Sequence, residues 1–389
     1  MSKIVIVGGS LAAVHAIESL RSNGHDGDII LVGAEKHLPY DRPPLSKEAL
    51  FSEGGPTPLR PAAWYDEFDV RLHLGRAARG LRPNDRTLVL EDGEEMSYDS
   101  LLIATGSRVR HLGSGDKYIH YLRTPEDAAS LRDEFGRVKH VVIIGAGLIG
   151  MEVAATVSVL GIRVTIIEVA PAPLARVLGD EVGQWFKRLH ESHGVTVLCS
   201  VLAVDVHADP RGGYLVSTSN DELVRADLVV GALGAAPAVD WLRTSGLDLG
   251  DGILCDATLQ TNAPGVVAAG DVARWYNPLY DEDMRVQQWV NAVEQGRHAA
   301  MTLLGASSPY VAAPYFGSDQ FGTKLRFVGR ATAADDIRID EMTNDVLVTT
   351  YWRQGSKIGA LCVNAAMQLP RHHAEIVDAQ LNSPRDFCR

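Results

Sequence analysis

The apolar residues of this chain form two runs that each lead directly into a glycine-rich turn. Residues 4–13 read IVIVGGSLAA and residues 141–150 read VVIIGAGLIG, so the two turns begin at Gly8 and Gly145. A continuous apolar run that ends in a turn predicts a strand buried on both faces, as in a parallel sheet. The pattern after each turn predicts a helix and then a second strand. The chain therefore contains two βαβ units.

The second unit follows the regular order of a dinucleotide site. Its pattern predicts a strand over residues 140–144, a helix through residues 151–160 that stops at Gly161, and a strand over residues 163–167 that leads into Glu168. A carboxylate at the tip of this strand is placed to accept hydrogen bonds from adenosine ribose hydroxyls. It would also repel a 2′-phosphate, and no Arg or Lys follows it before Arg176. We therefore expect this unit to bind NADH rather than NADPH.

The turn of this second unit matches the pattern G-x-G-x-x-G. Gly145 makes the tight turn, Gly147 lets the backbone approach a pyrophosphate, and Gly150 lets the helix pack against the strand. Leu148 and Ile149 stand where the helix begins, and free N–H groups at a helix start favour phosphate. A unit whose glycines serve packing alone stays open as the alternative.

The first unit departs from that pattern. It keeps the turn glycine Gly8, but Ser10 takes the phosphate-approach position and Ala13 the packing position. Serine is small and can donate a hydrogen bond to phosphate, so we expect an altered nucleotide site. A helix to Asn23 and a strand over residues 29–32 follow, and Glu35 is the candidate ribose carboxylate. The candidate contacts at this turn are Gly8, Ser10, Leu11 and Ala12.

Two further apolar segments support a second nucleotide site. Residues 101–106 predict a buried strand with a tight turn, where the chain leaves one nucleotide domain for another. Residues 261–271 predict a strand that delivers Asp271 to a sheet edge, where it can accept hydrogen bonds from flavin hydroxyls. A plain turn aspartate is the alternative. The candidates in these segments are Ala104, Thr105, Gly106, Gly270 and Asp271.

Composition narrows the class of protein. The 389 residues exceed one ordinary core and predict two or three domains. No apolar run approaches the ~20 residues of a membrane span, and the N-terminus enters a strand at once, so we expect a cytoplasmic protein. The four cysteines lie far apart, and the net charge of −12 has no basic cluster. These features argue against a dithiol centre, a bound metal and nucleic acid binding. The adjacent His372 and His373 are expected to be a solvated surface pair.

Seven motifs together resemble one family, the FAD-dependent, NADH-oxidising ferredoxin reductases of bacterial Rieske dioxygenase and cytochrome P450 systems. They are G-x-S-x-x-A (8–13), LPYDRPPLSK (38–47), ATG (104–106), YLRTPEDA (121–128), GAGLIGMEVAA (145–155), APGVVAAGDVA (263–273) and NAVEQG (291–296). The resemblance covers nearly the whole chain. Thioredoxin and glutathione reductases share the architecture but carry a disulfide for which this chain has no cysteines in place.

The resemblance implies an α/β fold with two doubly wound Rossmann-like domains and a C-terminal α+β interface domain containing an antiparallel sheet. The FAD domain would comprise residues 1–109 and 239–311, the NADH domain residues 110–238, and the interface domain residues 312–389. The alternating pattern of residues 346–363 agrees, since it predicts an antiparallel hairpin with a Gly-Ser turn.

The resemblance also assigns site residues. Lys47 and Glu152 are similar to a catalytic ion pair beside flavin N5. In the alternative, Glu152 merely lies in the first turn of its helix, where the helix dipole favours a carboxylate. Trp289 stands where a flavin-facing residue is expected, although a buried core tryptophan would read the same. The remaining residues implied to contact FAD or NADH are Arg42, Arg123, Gln288 and Gly234.

Two positions depart from the family pattern. Ala34 replaces a common aspartate before Glu35, which leaves the group that binds the FAD ribose in doubt. Gly317 stands where the family usually has a tryptophan over the exposed flavin edge. We expect a more open flavin edge with faster leakage to O2. In the alternative, Gly317 is a turn residue, and Tyr315 or Phe316 covers the flavin.

The implied activity is hydride transfer from NADH to FAD, followed by single-electron transfer to an iron–sulfur ferredoxin that feeds a P450 or Rieske oxygenase. An NADH oxidase of similar fold and an NADH-responsive redox-sensing protein are the rivals, and a monomer and a homodimer both stay open. Ferredoxins are typically acidic too, so docking would use a local basic or apolar patch. Arg326, Arg330 and Arg353 are the basic candidates.

Overall fold

The computed structural model describes residues 2–332 and 335–381. The α-helices of this part of the chain are α1 (Leu11–Ser22), α2 (Ala62–Glu67), α3 (Pro125–Phe135), α4 (Leu148–Val159), α5 (Ala175–Leu178), α6 (Asp180–Ser192), α7 (Trp289–Leu303) and α8 (Leu369–Leu381).

The strands follow in chain order. They are β1 (Ile4–Val7), β2 (Ile29–Gly33), β3 (Val70–Leu74), β4 (Ala78–Arg82), β5 (Thr87–Leu90), β6 (Glu95–Ser97), β7 (Ser100–Ile103), β8 (Ser107–Val109), β9 (His120–Tyr121), β10 (His140–Ile144), β11 (Arg163–Glu168), β12 (Thr196–Cys199), β13 (Ala203–Ala208), β14 (Tyr214–Thr218), β15 (Leu223–Ala226), β16 (Leu228–Gly231), β17 (Ala235–Pro237), β18 (Leu249–Gly250), β19 (Gly252–Cys255), β20 (Val266–Ala268), β21 (Ala273–Asn277), β22 (Glu282–Arg285), β23 (Tyr315–Gln320), β24 (Thr323–Gly329), β25 (Asp336–Met342), β26 (Leu347–Arg353) and β27 (Ser356–Val363).

The first of two compact units comprises the chain up to Asp41, Pro56–Arg108 and Ala236–Phe316. Its central sheet is parallel, in the order β20-β7-β1-β2-β3. Every residue of β1 is buried, because strands flank it on both edges and α1 and α7 pack nearby. The order runs outward from β1 to β3 and then returns to β7, so a switch point lies between β1 and β7. Ligands of open α/β sheets bind at such switch points.

The second unit comprises Arg42–Gly55, Val109–Ala235 and the chain from Gly317 onward. Its parallel sheet has the order β12-β11-β10-β16-β9, with a switch point between β10 and β16. The same unit contains the C-terminal antiparallel sheet β23-β24-β27-β26-β25, against which α8 packs. The predicted fold class is therefore confirmed. The three-domain boundaries drawn from the resemblance stay a prediction.

Two predicted elements have different bounds in the structure. Within residues 261–271 only Val266–Ala268 is a strand, because Pro264 lacks an N–H, Gly265 has a φ of +76°, and Thr261 N–H donates to the Val266 carbonyl. In the predicted hairpin, Gln354 and Gly355 form the turn at φ +50° and +81°, and Ser356 already begins β27.

The expected solvated histidine pair is wrong for His372. That residue lies on the buried face of α8 and its ring is 3.2 Å from the Lys357 ammonium, whereas His373 is exposed. Adjacent positions on a helix point about 100° apart, so neighbouring residues need not share an environment.

Candidate functional site

The first glycine turn lies at the carboxyl ends of β1 and β7. Gly8 has a φ of +112°, and a Cβ atom on it would lie 2.2 Å from the carbonyl oxygen of Ala104. Ser10 is the N-cap of α1, but its hydroxyl donates to the Ala104 carbonyl at 3.1 Å and does not cap the helix. The first amides of an α-helix have no acceptor within the helix, so those of Leu11 and Ala12 are left without a side-chain cap. A helix start left open in this way fits the pyrophosphate of a nucleotide.

Helix α7 packs tightly against α1 and presents a buried amide side chain. A Cβ on Gly296 would lie 2.3 Å from the carbonyl oxygen of Ala12. Gln295 is fully buried, and its Oε1 accepts the N–H of Gly270 at 2.8 Å. Its Nε2 and the Oε1 of Gln288 are buried without a hydrogen-bond partner among the described residues. Each such group costs ~1–3 kcal/mol if it stays unpaired. These groups therefore fit a polar cofactor such as FAD in the first unit.

The residues that follow β7 and β20 are also fixed by hydrogen bonds. Asp271 accepts a hydrogen bond from the Ser107 hydroxyl at 2.9 Å. The Thr105 hydroxyl donates to the Ala238 carbonyl at 3.1 Å, and Gly106 has a φ of +68°. The predicted residues Ala104 to Gly106 and Gly270 to Asp271 thus border the same sheet edge as the first glycine turn.

Two other predicted residues of the first unit lie in different settings. Glu35 is half-buried just after β2 and accepts a hydrogen bond from the Tyr40 hydroxyl at 2.7 Å, while Ala34 before it is exposed. Trp289 begins α7 with 47% of its surface exposed, and its Nε1 donates to Asp41 at 2.9 Å. The alternative of a buried core tryptophan is therefore wrong.

The second glycine turn has three glycines in three environments. Gly145 has a φ of +107°, and a Cβ there would lie 2.4 Å from the carbonyl oxygen of Ala232. A Cβ on Gly150 would lie 2.1 Å from the Gly145 carbonyl oxygen. Gly147, the N-cap of α4, has no described atom within 4 Å of a Cβ, and the same holds for Gly234 after β16. The middle of the turn is thus open to a ligand.

Glu168 is held beside this turn by two backbone amides. Its Oε2 accepts the N–H of Ala146 at 2.6 Å and its Oε1 accepts the N–H of Ala170 at 2.8 Å. A carboxylate oxygen has two lone pairs, so each can still accept a ribose hydroxyl. Leu148 and the exposed Ile149 begin α4 immediately after the open glycine.

The predicted ion pair is present in the second unit. Lys47 Nζ lies 2.8 Å from Oε2 of Glu152, which is 6% exposed. Glu152 also accepts hydrogen bonds from Ser46 Oγ on Oε2 and from Ser318 Oγ on Oε1, each at 2.6 Å. Because α4 begins at residue 148, Glu152 is in its second turn and not in its first. The helix dipole alone therefore does not explain this carboxylate.

The two predicted arginines also lie together. The Arg42 guanidinium donates to the backbone carbonyl of Arg123 at 2.8 Å. The Arg123 amide in turn donates to Asp127, which forms a capping box with Thr124 at the start of α3. Helix capping thus fixes the backbone of one predicted FAD contact, and that backbone orients the other.

Sequence reasoning gave no role to three buried polar residues, Ser46, Ser318 and Gln295. Ser46 stands within PPLSK and Gln295 within NAVEQG, so both lay inside quoted motifs. Their buried side chains are visible only in three dimensions. Ser318 had no local signal, since its partner Glu152 is 166 positions away.

Potential metal ligands and cysteine thiols are the remaining groups that could carry chemistry. No group of three or more His, Cys, Asp or Glu side chains there could hold a metal ion. Cys199, Cys255 and Cys362 are unpaired, and burial raises the pKa of the Cys255 thiol. Cys388 lies outside the described residues. No described helix has both the length and the apolar composition needed to cross a bilayer.

Arg326 and Arg353, which were predicted as docking candidates, each pair with a carboxylate. Arg326 contacts Asp319 at 2.7 Å, and Arg353 contacts the buried Asp335 at 2.8 Å. Hydrogen bonds from Arg353 and Thr332 lower the pKa of Asp335, which is otherwise raised by burial. These arginines thus contribute less positive potential than their number in the sequence indicates.

The chain matches known proteins along its length. Residues 2–296 match the pyridine nucleotide-disulphide oxidoreductase family. The ferredoxin–NAD(+) reductase component of the anthranilate 1,2-dioxygenase system of Burkholderia cepacia is 37% identical over 99% of this chain and 96% of that protein. Putidaredoxin reductase of Pseudomonas putida is 32% identical over 96% and 92%. The solved covalent complex of putidaredoxin reductase with putidaredoxin superposes with a TM-score of 0.92 at 30% identity, covering 97% and 93% of the two chains.

Proposed function

The chain belongs to the pyridine nucleotide-disulphide oxidoreductase family, and we propose that it is an NADH-dependent, FAD-containing reductase of an iron–sulfur ferredoxin. The observation that carries this function is the pair of glycine turns. Gly8 and Gly145 have nearly the same φ, +112° and +107°, and each stands at a switch point of a parallel sheet. One chain thus has the geometry for two nucleotides.

The bound FAD supplies a hydride acceptor that can return its two electrons singly, which a nicotinamide cannot do. The chain's own residues bind and orient. In the first unit, the amides of α1, Gln295 and Asp271 are the groups proposed to hold FAD. In the second unit, the open Gly147 and the carboxylate of Glu168 are proposed to hold the pyrophosphate and ribose of NADH.

Lys47 and Glu152 are the proposed catalytic pair. The Lys47 ammonium would stabilise negative charge that develops near flavin N5, and Glu152 would keep that ammonium in place. The pair needs no metal and no thiol. The segment HLPYDRPPLSK contains no cysteine, which distinguishes it from oxidases and disulfide reductases with a redox cysteine there.

The electron acceptor is proposed to be a ferredoxin that serves a Rieske dioxygenase or a cytochrome P450. This proposal is supported by relatives that are named as the reductase of a dioxygenase system and as putidaredoxin reductase, which are similar over 99% and 96% of this chain. We place the activity in the cytoplasm, where NADH is available.

Reduction of cytochrome c by NADH, with and without an added iron–sulfur ferredoxin, tests this function. We expect turnover to depend strongly on ferredoxin, whereas ferricyanide is reduced without it. A Gly147→Val variant should abolish both reactions, because its side chain would occupy the proposed pyrophosphate position. A purified protein that forms a stable NADH–flavin complex with little turnover would instead favour a redox sensor.

A further inference from the structure

The carboxylate of Glu152 stands at the end of a buried hydrogen-bond chain. Ser318 Oγ lies 2.6 Å from its Oε1, and Nε2 of Gln320 lies 3.1 Å from Ser318 Oγ. Oε1 of Gln320 lies 3.0 Å from Nε2 of His190. These four residues are each between 0% and 6% exposed and belong to α4, β23 and α6 of the second unit.

The chemistry of the groups determines which one donates and which one accepts at each step of this hydrogen-bond chain. An amide oxygen only accepts, so the His190 Nε2 that faces it must carry a proton. The Gln320 amide nitrogen then donates to Ser318, whose single hydroxyl proton goes to Glu152. A flipped Gln320 amide would place its oxygen against Ser318 Oγ, whose proton already goes to the carboxylate. Two acceptors would then face each other, so the flipped arrangement is disfavoured.

The hydrogen-bond chain ends at the ring of His190. Nδ1 of His190 is buried with no hydrogen-bond partner among the described residues, and the ring packs edge-on against Phe321 at 5.0 Å. Burial lowers the pKa of His190 to about 4, so the ring is neutral near pH 7. A neutral ring with its proton on Nε2 is the one form that satisfies Gln320 and leaves only an acceptor unpaired.

We propose that Ser318 and Gln320 are positioning residues for Glu152. Together with His190 they form a hydrogen-bond chain in which each group donates toward Glu152, and this hydrogen-bond chain holds the Glu152 carboxylate toward Lys47. This proposal rests on the proposed function, because that function gives Lys47 and Glu152 their role. It gives β23, a strand of the C-terminal sheet, a part in positioning the proposed catalytic pair. The two carboxylate oxygens of Glu152 have different partners. Ser46 and Lys47 donate to Oε2, whereas Ser318 donates to Oε1.

The first experiment uses the wild-type holoenzyme and needs no variant. Long-range ¹H–¹⁵N NMR spectra, with His190 assigned by comparison with His190→Gln, report which ring nitrogen is protonated at pH 7. We expect the Nε2–H tautomer. A ring protonated on Nδ1, or on both nitrogens, would overturn the proposal whatever the enzyme's electron acceptor proves to be.

The second experiment follows anaerobic reduction of the bound flavin by NADH in a stopped-flow instrument. Ser318→Ala should lower the limiting rate about 10-fold, as expected for loss of a hydrogen bond to a charged group, with the Kd for NADH unchanged. Gln320→Leu should lower the rate less, about 5-fold, because it loses a hydrogen bond to the neutral Ser318 hydroxyl. Asp319→Asn is the matched control, since its exposed side chain lies between them on the other face of β23. It should keep the wild-type rate.

A double-mutant cycle separates positioning from general destabilisation. In a Glu152→Ala background, Ser318→Ala should change the rate by less than about 2-fold, because the group it positions is gone. An undiminished 10-fold loss in that background would overturn the proposal. Failure of the proposed function is distinguishable, since it would appear as ferredoxin-independent turnover in the wild type, whereas these experiments require only NADH.

Discussion

At residue 168 a carboxylate is fixed by the amides of Ala146 and Ala170 beside the glycine turn. Glu168→Ala should lower kcat/KM for NADH about 10- to 100-fold, because hydrogen bonds from ribose to a charged group are lost. It should also raise the relative use of NADPH, because the repulsion of a 2′-phosphate disappears. Steady-state rates with both nucleotides measure the ratio. Glu181→Ala, an exposed acid on α6, should leave the ratio unchanged.

Gly317 lies against the side chain of Arg326. A Cβ at this position would be 3.0 Å from the guanidinium Nη1, so a larger residue requires the flexible arginine to move. The family resemblance implies an indole over the flavin edge here. We expect Gly317→Trp to slow NADH oxidation in air, measured as O2 consumption without ferredoxin. Unchanged leakage and unchanged ferredoxin kinetics would reject this role for Gly317.

His190 makes stability depend on pH. Burial lowers its pKa to about 4, below the ~6.5 of an unfolded histidine. The unfolded chain therefore binds more protons between these pH values. The stability that comes from the lowered pKa is fully present above about pH 6.5. It is lost as the pH falls to 4, which lowers the free energy of unfolding by about 3 kcal/mol. The thermal midpoint should thus fall less between pH 7.5 and pH 5 in His190→Gln than in wild type. An equal fall would contradict the buried, neutral ring.

At the scale of elements, the contact between the β1 turn and the end of β7 depends on one glycine. Gly8→Ala would place a Cβ 2.2 Å from the backbone oxygen of Ala104 and force an alanine to φ +112°. We expect a loss of at least about 2 kcal/mol and poor FAD retention, because the strands that frame the proposed pyrophosphate site must separate. Gly9→Ala is the control, since its nearest neighbour would be 3.7 Å away. Thermal midpoints and the flavin content of purified protein test the pair.

The elements themselves were largely predictable. The strand over 140–144 and the switch to a helix after each glycine turn follow from apolar periodicity and from glycine geometry, which are local. The strand over 261–271 was overextended, because apolar residues continue through a turn that Pro264 and Gly265 impose. The predicted hairpin turn was displaced by one residue, because Gln354 adopts a positive φ, which is uncommon for a residue other than glycine.

At the scale of the whole molecule, the formal charge of −12 opposes an acidic ferredoxin. The pairing of Arg326 with Asp319 and of Arg353 with Asp335 reduces the basic potential that could offset this repulsion. We therefore expect the KM for an acidic ferredoxin to stay constant or fall as NaCl is raised from 20 to 200 mM, because salt screens repulsion. Cytochrome c reduction at several ionic strengths measures it. A steep rise in KM would indicate an attractive basic docking patch instead.

The sequence by itself determined the two βαβ units, their glycine turns and the acid at Glu168, because these depend on residues within about 30 positions of one another. The resemblance added Lys47 and Glu152 as an ion pair and Arg42 and Arg123 as FAD contacts. The structure places Lys47 beside Glu152 and the Arg42 guanidinium beside the Arg123 carbonyl. Tertiary structure alone decided which groups surround them. Ser318 meets Glu152, and Gln295 meets Gly270, through strands and helices far apart in the chain. Burial and hydrogen-bond direction arise from that packing, so no local pattern could have revealed them.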